Sequence, residues 1–520
     1  MDRISEAGTF FVHDIFLANA RSAPDKVGLI WRDRSYTWRE LGERLDALAA
    51  GLTARGIVRG SRVAVLDRNS DDLVLLHYAL ASLGAVLCPL NAWLRAPEIA
   101  AILANARPAY LVVGEEFVAS AAAAVSGLEF RPVIVLRGGS LDGAMAWSAF
   151  SSGGAGLARS APESWDDTHL ILHTSGTTGM PKGVALSHRR TVADGLFAAP
   201  SFGVRRTDRY YCYTPLFHTG GWDWLKMFFM QQGSVVLVDR FDAGDAIRAI
   251  VEHRCTVVPC FPITLRGLIE HADFDGADMS AVRMIGYGGQ DPSDILDIGL
   301  RRFRERGAAH VSVLLPYGMT ECGPFITIAQ GHEALKHPAS VGTSVPGIEV
   351  ALLDDDLSET PRGEIGEVCI RSPALMTGYI GNAEATEEVF AGGWLHTGDL
   401  ARQNEDGFYT IVDRKKDMVR TGGENVFAKE VEEILVQHPS VKECAVVGQP
   451  DDVYGEMVVA VVVTADGFRD DAALKAHTRA RLAGFKTPKR VVFVDELPHT
   501  PVGKIAKAEL RKMLAAGTMA

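Results

Sequence analysis

The chain is poor in cysteine and has no long apolar segment. Its 520 residues include seven cysteines, and none of them stands in a CxxC or zinc-ligand spacing. The longest mostly apolar run, around residues 78–90, is too short to span a bilayer. The first residues lack the basic and apolar segments of a secretory signal. These features disfavour a metal-thiolate, membrane-spanning or secreted protein, and they favour buried free thiols in the cytoplasm.

The charge balance limits the partners of the protein. Lys and Arg number 53 and Asp and Glu number 65, so the formal net charge is −12. A field of this sign does not attract nucleic acid or an acidic membrane surface. Any binding of phosphate must therefore depend on a local group of donors.

Length and hydrophobic patterning predict more than one domain with an α/β core. Val27–Trp31 and Arg62–Leu66 are strand-like, and Asp71–Leu83 has the pattern of a helix. Strands that alternate with helices imply parallel sheets covered by helices. Near the C-terminus the pattern changes to a compact α+β unit, with a boundary near Asp413–Asp417, a run too charged to lie in a core.

The most informative stretch is Thr174-Ser-Gly-Thr-Thr-Gly-Met-Pro-Lys-Gly-Val184, which follows a strand-like run at 169–173. Glycines let backbone N–H groups turn toward an anion, hydroxyls add neutral donors, and Lys182 adds a point charge. The stretch is not a Walker A motif, because Pro181 precedes the lysine. A Ser/Thr/Gly run alone could be a connector, but the Pro-Lys-Gly ending favours a loop that binds polyphosphate.

This loop resembles the phosphate loop of the acyl-adenylate-forming enzymes, which include acyl-CoA synthetases, peptide-synthetase adenylation domains and firefly luciferase. The resemblance runs from about residue 10 to residue 513. Each further motif alone could be a turn or a solvated charge run, and their order makes the resemblance specific. These motifs are Tyr287-Gly-Gly-Gln290, Tyr317-Gly-Met-Thr-Glu321, Thr397-Gly-Asp399, Asp413-Arg-Lys-Lys-Asp417 and Pro498-His-Thr-Pro-Val-Gly-Lys504.

The resemblance implies a fold and a domain division. We expect an α/β fold with a large multi-subdomain N-terminal domain over residues 1–415, made of two α/β sheets and a β subdomain. A small, mobile α+β lid domain is expected over residues 416–520. Lys416 is expected to be the hinge between them.

The resemblance also implies an ATP and AMP site. A hard carboxylate suits Mg²⁺ together with phosphate oxygens. The expected metal ligands are Glu321, which offers a carboxylate, and Thr174. Gln290 replaces the small residue usual after the two glycines, and His499 replaces the usual Lys or Arg. The expected catalytic residues are Lys504, His218, Glu321 and Thr174. The expected nucleotide-binding residues are Thr174, Ser175, Gly176, Thr177, Thr178, Gly179, Lys182, Gly288, Gly289, Gln290, Tyr317, Gly318, Thr320, Asp399, Arg414 and Lys504.

An acyl pocket and a CoA site follow from the same resemblance. His218 matches a histidine that gates the acyl pocket of acyl-CoA synthetases. Thr219 stands where adenylation domains carry the Asp that holds an amine, which disfavours an amino-acid substrate, although Asp223 lies close. The expected pocket residues are His218, Trp222, Asp223, Met227 and Cys322, with Trp224, Phe228 and Phe325 nearby. The expected CoA contacts are Gly422, Gly423, Phe485 and Lys486.

The resulting expectation is an ATP-dependent carboxylate–CoA ligase that forms acyl-AMP and pyrophosphate, then acyl-CoA and AMP, by domain alternation. Its substrates and cofactors would be a carboxylic acid, ATP, Mg²⁺ and coenzyme A. Two tryptophans in the pocket region favour a bulky aromatic, alicyclic, terpenoid or medium-chain acid over a long linear one. Four alternatives stay open, namely a carrier protein as acyl acceptor, an enzyme that stops at the acyl-adenylate, a luciferase-type oxygenase and a non-catalytic nucleotide-binding protein. A homodimer also stays open.

Overall fold

The computed structural model describes residues 10–158, 160–174, 181–289, 294–337, 339–465, 467–499 and 505–517. Short 3-10 turns occur at Glu115–Phe117, Ala272–Gly276, Ala391–Gly393 and Gly484–Lys486. The α-helices span Asp14–Ser22, Trp38–Ala54, Asp71–Ser82, Ala96–Ala106, Val118–Ser126, Trp147–Phe150, His188–Ser201, Thr219–Met230, Ala243–Glu252, Pro262–Glu270, Ile295–Glu305, Gly331–Lys336, Ala383–Val389, Ala428–Val436, Asp471–Arg479 and Lys507–Ala515.

The strands carry the framework of the molecule. In chain order they are β1 (Val27–Trp31), β2 (Arg34–Thr37), β3 (Arg62–Leu66), β4 (Val86–Pro89), β5 (Tyr110–Val113), β6 (Val133–Leu136), β7 (Met145–Ala146), β8 (Thr168–Thr174), β9 (Lys182–Ser187), β10 (Arg209–Cys212), β11 (Ser234–Leu237), β12 (Val257–Cys260), β13 (Met284–Tyr287), β14 (Ser312–Met319), β15 (Gly323–Gln330), β16 (Thr343–Ser344), β17 (Glu349–Leu353), β18 (Ile365–Arg371), β19 (Gly378–Tyr379), β20 (Leu395–Gln403), β21 (Tyr409–Arg414), β22 (Val419–Thr421), β23 (Glu424–Val426), β24 (Val441–Asp451), β25 (Gly455–Thr464) and β26 (Arg490–Val494).

Two large sheets dominate the first part of the chain. Among the described residues, one has the order β16-β15-β14-β13-β12-β10-β11-β1-β2 and the other β19-β9-β8-β4-β3-β5-β6-β7. Their interiors are parallel, as the alternation of strands and helices predicts, and antiparallel pairs occur toward the edges. The expected α/β fold class is thereby confirmed.

Two smaller sheets follow, with the orders β17-β18-β20-β21 and β23-β22-β25-β24, and β26 pairs with β25. Strand β25 alternates its side chains between two cores: Val458 and Val462 pack on one face, and Val459 and Val461 on the other. Helices cover the sheet that contains β25, so the last part of the chain is a compact α+β unit, as its pattern predicts.

By packing, the chain divides into two units. One comprises the described residues of Met1–Val350 and Ile370–Leu395, and the other those of Ala351–Cys369 and His396–Ala520. The sheet β17-β18-β20-β21 therefore groups largely with the C-terminal residues. The domain boundary at 415/416 and the hinge at Lys416 stay predictions.

Local sequence signals fix several elements. The capping box at Thr37 and Glu40 forms as predicted, since Glu40 N donates to Thr37 Oγ1 over 3.3 Å and Thr37 N donates to Glu40 Oε2 over 2.7 Å. Strands β1 and β3 have the bounds predicted from the sequence, and the helix predicted at Asp71–Leu83 ends one residue earlier. All seven cysteines are free and buried, as predicted.

The expectation that Asp413–Asp417 is too charged to lie in a core is wrong for its two ends. Asp413 and Asp417 are 6 % and 9 % exposed. Asp413 accepts hydrogen bonds from the backbone N–H groups of Arg414 and Lys429, and Asp417 pairs with Arg511 over 2.7 Å. Buried carboxylates are tolerated where donors of this kind satisfy them.

Candidate active site

The predicted phosphate loop closes a β-hairpin. Strands β8 and β9 run antiparallel, and Thr174 is the partner of Lys182 at the end of the ladder. The middle of β8 is buried in the eight-stranded sheet, which fixes the position of this end. The remaining predicted loop residues lie outside the described residues; these are Ser175, Gly176, Thr177, Thr178 and Gly179.

A tyrosine joins two predicted site residues. Lys182 Nζ lies 4.7 Å from the centroid of the Tyr379 ring, and Tyr379 Oη donates to Glu321 Oε1 over 3.0 Å. Strand β19 places Tyr379 there by pairing with β9 at Val184. Burial and the nearby Glu321 raise the pKa of Tyr379, so its hydroxyl stays protonated and serves as the donor. The structure thus brings the loop lysine and the predicted metal carboxylate to one place.

Glu321 lies in the turn between β14 and β15 and is 5 % exposed. Its backbone oxygen accepts from Met376 N over 2.8 Å, which ties this turn to the chain just before β19. Strand β14 extends to Met319, so the predicted residues Tyr317 and Gly318 lie in the strand and Thr320 in the turn. A buried, oriented carboxylate fits a divalent cation that phosphate oxygens also bind.

The predicted glycine pair ends a parallel strand. Gly288 and Gly289 directly follow β13, and because Gly286 is in register with Leu314, Gly289 and Tyr317 reach the same edge of the sheet. A Cβ on Gly288 would lie 2.8 Å from the ring of Phe261, which is 41 % exposed. Gln290 lies outside the described residues. This sheet edge is where α/β folds bind ligands.

His218 is the N-cap residue of the helix Thr219–Met230 and is partly exposed. Its ring lies 4.7 Å from the Phe217 ring and 6.1 Å from that of Trp93, an indole that is 49 % exposed. The other predicted pocket residues, Trp222, Asp223, Met227 and Cys322, are all buried.

Asp223 belongs to a buried ionic cluster. Arg190 Nη1 donates to Asp223 Oδ1 over 2.8 Å, Thr219 Oγ1 donates to Asp223 Oδ2 over 2.5 Å, and Lys226 Nζ lies 3.7 Å from Asp223 Oδ1. Burial lowers the pKa of Lys226 to about 8 and raises that of Asp194 in the same cluster. Asp223 thus already has two donors, and the exclusion of an amino-acid substrate stays a prediction.

The two tryptophans of this helix face different neighbours. Trp222 packs against His77, with ring centroids 4.4 Å apart. Trp224 lies on Gly286, where a Cβ would come within 2.6 Å of the indole, and it meets Phe325 edge-on at 5.7 Å. Trp224 therefore covers the strand that leads to the glycine pair.

The second unit holds the other predicted nucleotide contacts. Asp399 on β20 and Arg414 on β21 are direct partners in the antiparallel ladder and form an ion pair. Asp399 is 5 % exposed, whereas Arg414 and Lys416 are exposed. His499 and Ile505 form an antiparallel bridge, and Lys504 lies outside the described residues.

The predicted CoA residues lie in the second unit. Gly422 and Gly423 form the turn between β22 and β23, and Gly422 N donates to the backbone oxygen of Tyr454 over 2.7 Å. The turn that carries Phe485 and Lys486 packs against β23. Phe485 is 37 % exposed and Tyr454 is 45 % exposed.

Three aromatic residues near the predicted sites were missed by sequence reasoning, namely Tyr379, Phe261 and Tyr454. Each reaches its predicted neighbour through strand pairing or tertiary packing. Only Tyr454 had a local signal, since it directly precedes a glycine in the turn between two β-branched runs.

Two family models match the chain. One, described as AMP-binding enzyme, matches residues 16–380, and another, described as AMP-binding enzyme C-terminal domain, matches residues 430–504. The chain belongs to the AMP-binding enzyme family. The family resemblance predicted from the motifs is confirmed.

Relatives of this AMP-binding enzyme have different acid substrates in their names. Feruloyl-CoA synthase of an Amycolatopsis species is 35 % identical over 496 residues, which cover 95 % of this chain and 97 % of that protein. A long-chain-fatty-acid–CoA ligase of Mycobacterium tuberculosis is 31 % identical, with coverage of 93 % and 94 %. The Bacillus subtilis o-succinylbenzoate CoA synthetase, solved with its acyl-adenylate intermediate, matches with a TM-score of 0.82, 26 % identity and coverage of 96 % and 97 %.

In the part of the chain that the structure describes, every helix is too short or too polar to cross a bilayer.

Proposed function

We propose that this AMP-binding enzyme is an ATP-dependent carboxylate–CoA ligase, which forms an acyl-adenylate and pyrophosphate and then acyl-CoA and AMP. The observation that carries the proposal is the arrangement of Lys182, Tyr379 and Glu321 beside the end of the phosphate-loop hairpin. This arrangement combines a fixed cation and a buried carboxylate, the pair that a phosphate ester with a divalent cation needs. The relatives named above are CoA ligases, which supports the same reaction.

The chemistry explains why such a site is needed. A carboxylate does not acylate a thiol, because its oxygen is a poor leaving group, and transfer of AMP to that oxygen creates a good one. As the acid attacks the α-phosphate, negative charge grows on the phosphate oxygens and on pyrophosphate. Lys182, with Lys504 as predicted from the motif, stabilises this charge by position and electrostatics.

Glu321 and Thr174 are the proposed ligands of Mg²⁺. Both offer hard oxygen atoms, and Tyr379 orients the Glu321 carboxylate. When bound, the ion supplies charge neutralisation at the phosphate oxygens. The chain's own part is to hold that carboxylate in place next to Lys182.

The products distinguish this proposal from other uses of ATP. With a suitable acid and CoA we expect AMP and pyrophosphate, whereas an ATPase or kinase would give ADP. A binding protein without activity would be stabilised thermally by ATP with no turnover at all. Chromatography of the nucleotides after incubation decides among the three.

The acid is proposed to be a compact ring acid, aromatic or alicyclic. The support comes from Trp224, whose indole fills the space over Gly286 and is backed by Phe325, Phe202 and Tyr210. A wall of packed rings at this position favours a short, wide guest over a long chain. The ferulate and o-succinylbenzoate enzymes among the relatives support a ring acid. The long-chain-fatty-acid ligase shows that similarity alone does not identify the acid.

Replacing Trp224 by alanine is expected to open the pocket toward longer acids. The ratio of kcat/KM for a long-chain acid over a ring acid should rise by roughly tenfold or more, the effect of one or two methylene contacts. Trp224→Phe keeps a ring over Gly286 and should shift the ratio less. An unchanged ratio in a folded Trp224→Ala variant would show that this wall does not limit the acid.

The hinge role of Lys416 is proposed from the motif, because the two half-reactions need different arrangements around one site. Lys416→Pro is expected to slow transfer to CoA by an order of magnitude or more while adenylation changes much less. Lys416→Ala keeps the backbone freedom and serves as the control. Equal loss in pyrophosphate exchange and in acyl-CoA formation would count against a hinge.

The acyl acceptor is proposed to be CoA itself, bound by Gly422, Gly423, Phe485 and Lys486 with Tyr454 beside them. A carrier protein presents the same thiol and is the alternative acceptor, and a homodimer stays an open proposal. Lys486 Nζ donates to Glu430 at 2.6 Å and 2.9 Å, so a CoA phosphate would have to compete with that carboxylate. The buried free thiols suit the reducing cytoplasm, where we place the enzyme.

A further inference from the structure

The buried carboxylate of Glu367 contacts the residues next to Asp399 and Arg414, two of the nucleotide-binding residues expected from the motifs. Glu367 on β18 is 6 % exposed. Its Oε1 atom accepts from Gly398 N over 3.0 Å, and its Oε2 atom accepts from His396 Nδ1 over 3.1 Å and from Lys415 Nζ over 3.0 Å. Two donors from β20 and one from the residue after β21 therefore meet on one side chain.

These donors flank both members of the pair. His396 and Gly398 belong to the segment that ends at Asp399, and Lys415 directly follows Arg414. Asp399 and Arg414 are themselves ladder partners on β20 and β21. Glu367 thus joins the two strands at the point where the proposed nucleotide contacts are presented.

The electrostatics suit an ionised side chain. Burial alone would raise the pKa of Glu367, but the hydrogen bonds from His396 and Lys415 outweigh burial and hold the pKa below its usual value. Hydrogen bonds to a charged acceptor in a poorly solvated place are the strong ones. Lys415 also pairs with Asp355 over 2.8 Å, so its ammonium group is held on both sides.

A metal site is the other interpretation of this cluster. Glu367, Cys369 and His396 offer ligand atoms within 4.8 Å of one another. However, the ammonium group of Lys415 lies 3.0 Å from the Glu367 oxygen that also contacts His396. A cation bound to that oxygen would face this like charge, so the arrangement favours a hydrogen-bonded carboxylate.

We propose that Glu367 is a positioning residue that sets Asp399 and Arg414 for the ribose hydroxyls and phosphate of the adenine nucleotide. The inference rests on the proposed function and on the expectation from the Thr397-Gly-Asp399 motif that the Asp399 carboxylate accepts from both ribose hydroxyls. Removing the charge of Glu367 weakens the hydrogen bonds from Gly398 N–H and the Lys415 ammonium group, so the segment of β20 that presents Asp399 loses its fixed position.

The test uses ligand pairs that differ only in the ribose hydroxyls. Binding of AMP and of 2′,3′-dideoxy-AMP is measured by calorimetry for the wild type, Glu367→Gln and Asp399→Asn. We expect the wild type to prefer AMP and Asp399→Asn to lose the preference. Glu367→Gln should reduce the preference by roughly tenfold, the value of a hydrogen bond to a charged group, and should raise the KM for ATP more than it lowers kcat.

Controls separate positioning from general damage. Glu364→Gln removes an exposed carboxylate just before the same strand and should leave the preference unchanged. Lys415→Met breaks one of the contacts of Glu367 and should reduce the preference partly, which keeps the proposal testable if Glu367→Gln does not fold.

The outcomes separate the positioning role of Glu367 from the ribose contact of Asp399. If Asp399→Asn loses the preference and Glu367→Gln keeps it, the positioning role is overturned. If the wild type shows no preference for AMP, the ribose contact expected of Asp399 is wrong, and the positioning role is overturned with it.

Discussion

Replacing Lys504 by alanine is expected to lower acid-dependent pyrophosphate release by about a hundredfold or more. Loss of one preorganised donor to a developing negative charge costs about 2.7–4 kcal/mol in comparable sites. The family motif assigns Lys504 to the transition state of adenylation, so the loss should appear in kcat rather than in the KM for ATP. Pyrophosphate release under saturating ATP and acid measures it.

A nearby lysine provides the matched control for this prediction. Lys512 is exposed on the helix Lys507–Ala515, and Lys512→Ala should retain wild-type pyrophosphate release. The fold of both variants is compared by their thermal transitions. Wild-type pyrophosphate release by Lys504→Ala would remove that lysine from the mechanism.

Replacing Arg190 by alanine is expected to destabilise the first unit by about 3–5 kcal/mol, the cost of leaving a buried charge without its partner. Arg190 has no exposed side-chain surface, and its partner Asp223 is 2 % exposed. The variant leaves the Asp223 carboxylate in the core with Lys226 3.7 Å away and Thr219 as its remaining close donor. The free energy of unfolding in urea measures the loss.

The neighbouring residue Arg189 is the control for this prediction. It pairs with Asp166 at a partly exposed position, and pairs of that kind contribute about 0–1 kcal/mol. Combining Arg190→Met with Asp223→Leu and Lys226→Met removes the three charges of the cluster together and should recover much of the stability. An Arg190→Ala variant as stable as the wild type would mean that the ion pair does not stabilise the unit.

The parts of the fold that the sequence predicts well depend on neighbours along the chain. The capping box of Thr37 and Glu40, the strand at Arg62–Leu66 and the buried run before Thr174 each follow from a few adjacent residues. The family motifs also predict the order of the site residues along the chain, because each motif is a short local string of residues.

The parts that sequence reasoning missed depend on residues far apart in the chain. Tyr379 reaches Lys182 only because β19 pairs with β9, and Arg190 finds Asp223 only when two helices pack. The same limit explains the error at Asp413, whose burial depends on the N–H group of Lys429. A hydrophobic or charged pattern cannot show which partner satisfies a buried group.

The assignment of Trp224 and Trp222 illustrates the limit within one helix. The family resemblance predicts both near the acyl pocket, yet the indole of Trp222 contacts His77 and that of Trp224 contacts Gly286. Because an α-helix has 3.6 residues per turn, two residues that are close in the sequence can lie on different faces of the helix.

Pyrophosphate release with Mg-ATP, measured over a panel of ring acids and linear acids with and without CoA, tests the central claim most directly. If the protein is a CoA ligase for ring acids, we expect pyrophosphate release that depends on a compact ring acid and rises with CoA, with the acyl-CoA detected by mass. Release that ignores CoA would contradict the assignment of CoA as acceptor. No acid-dependent pyrophosphate from any acid, with ATP still bound, would contradict the ligase itself.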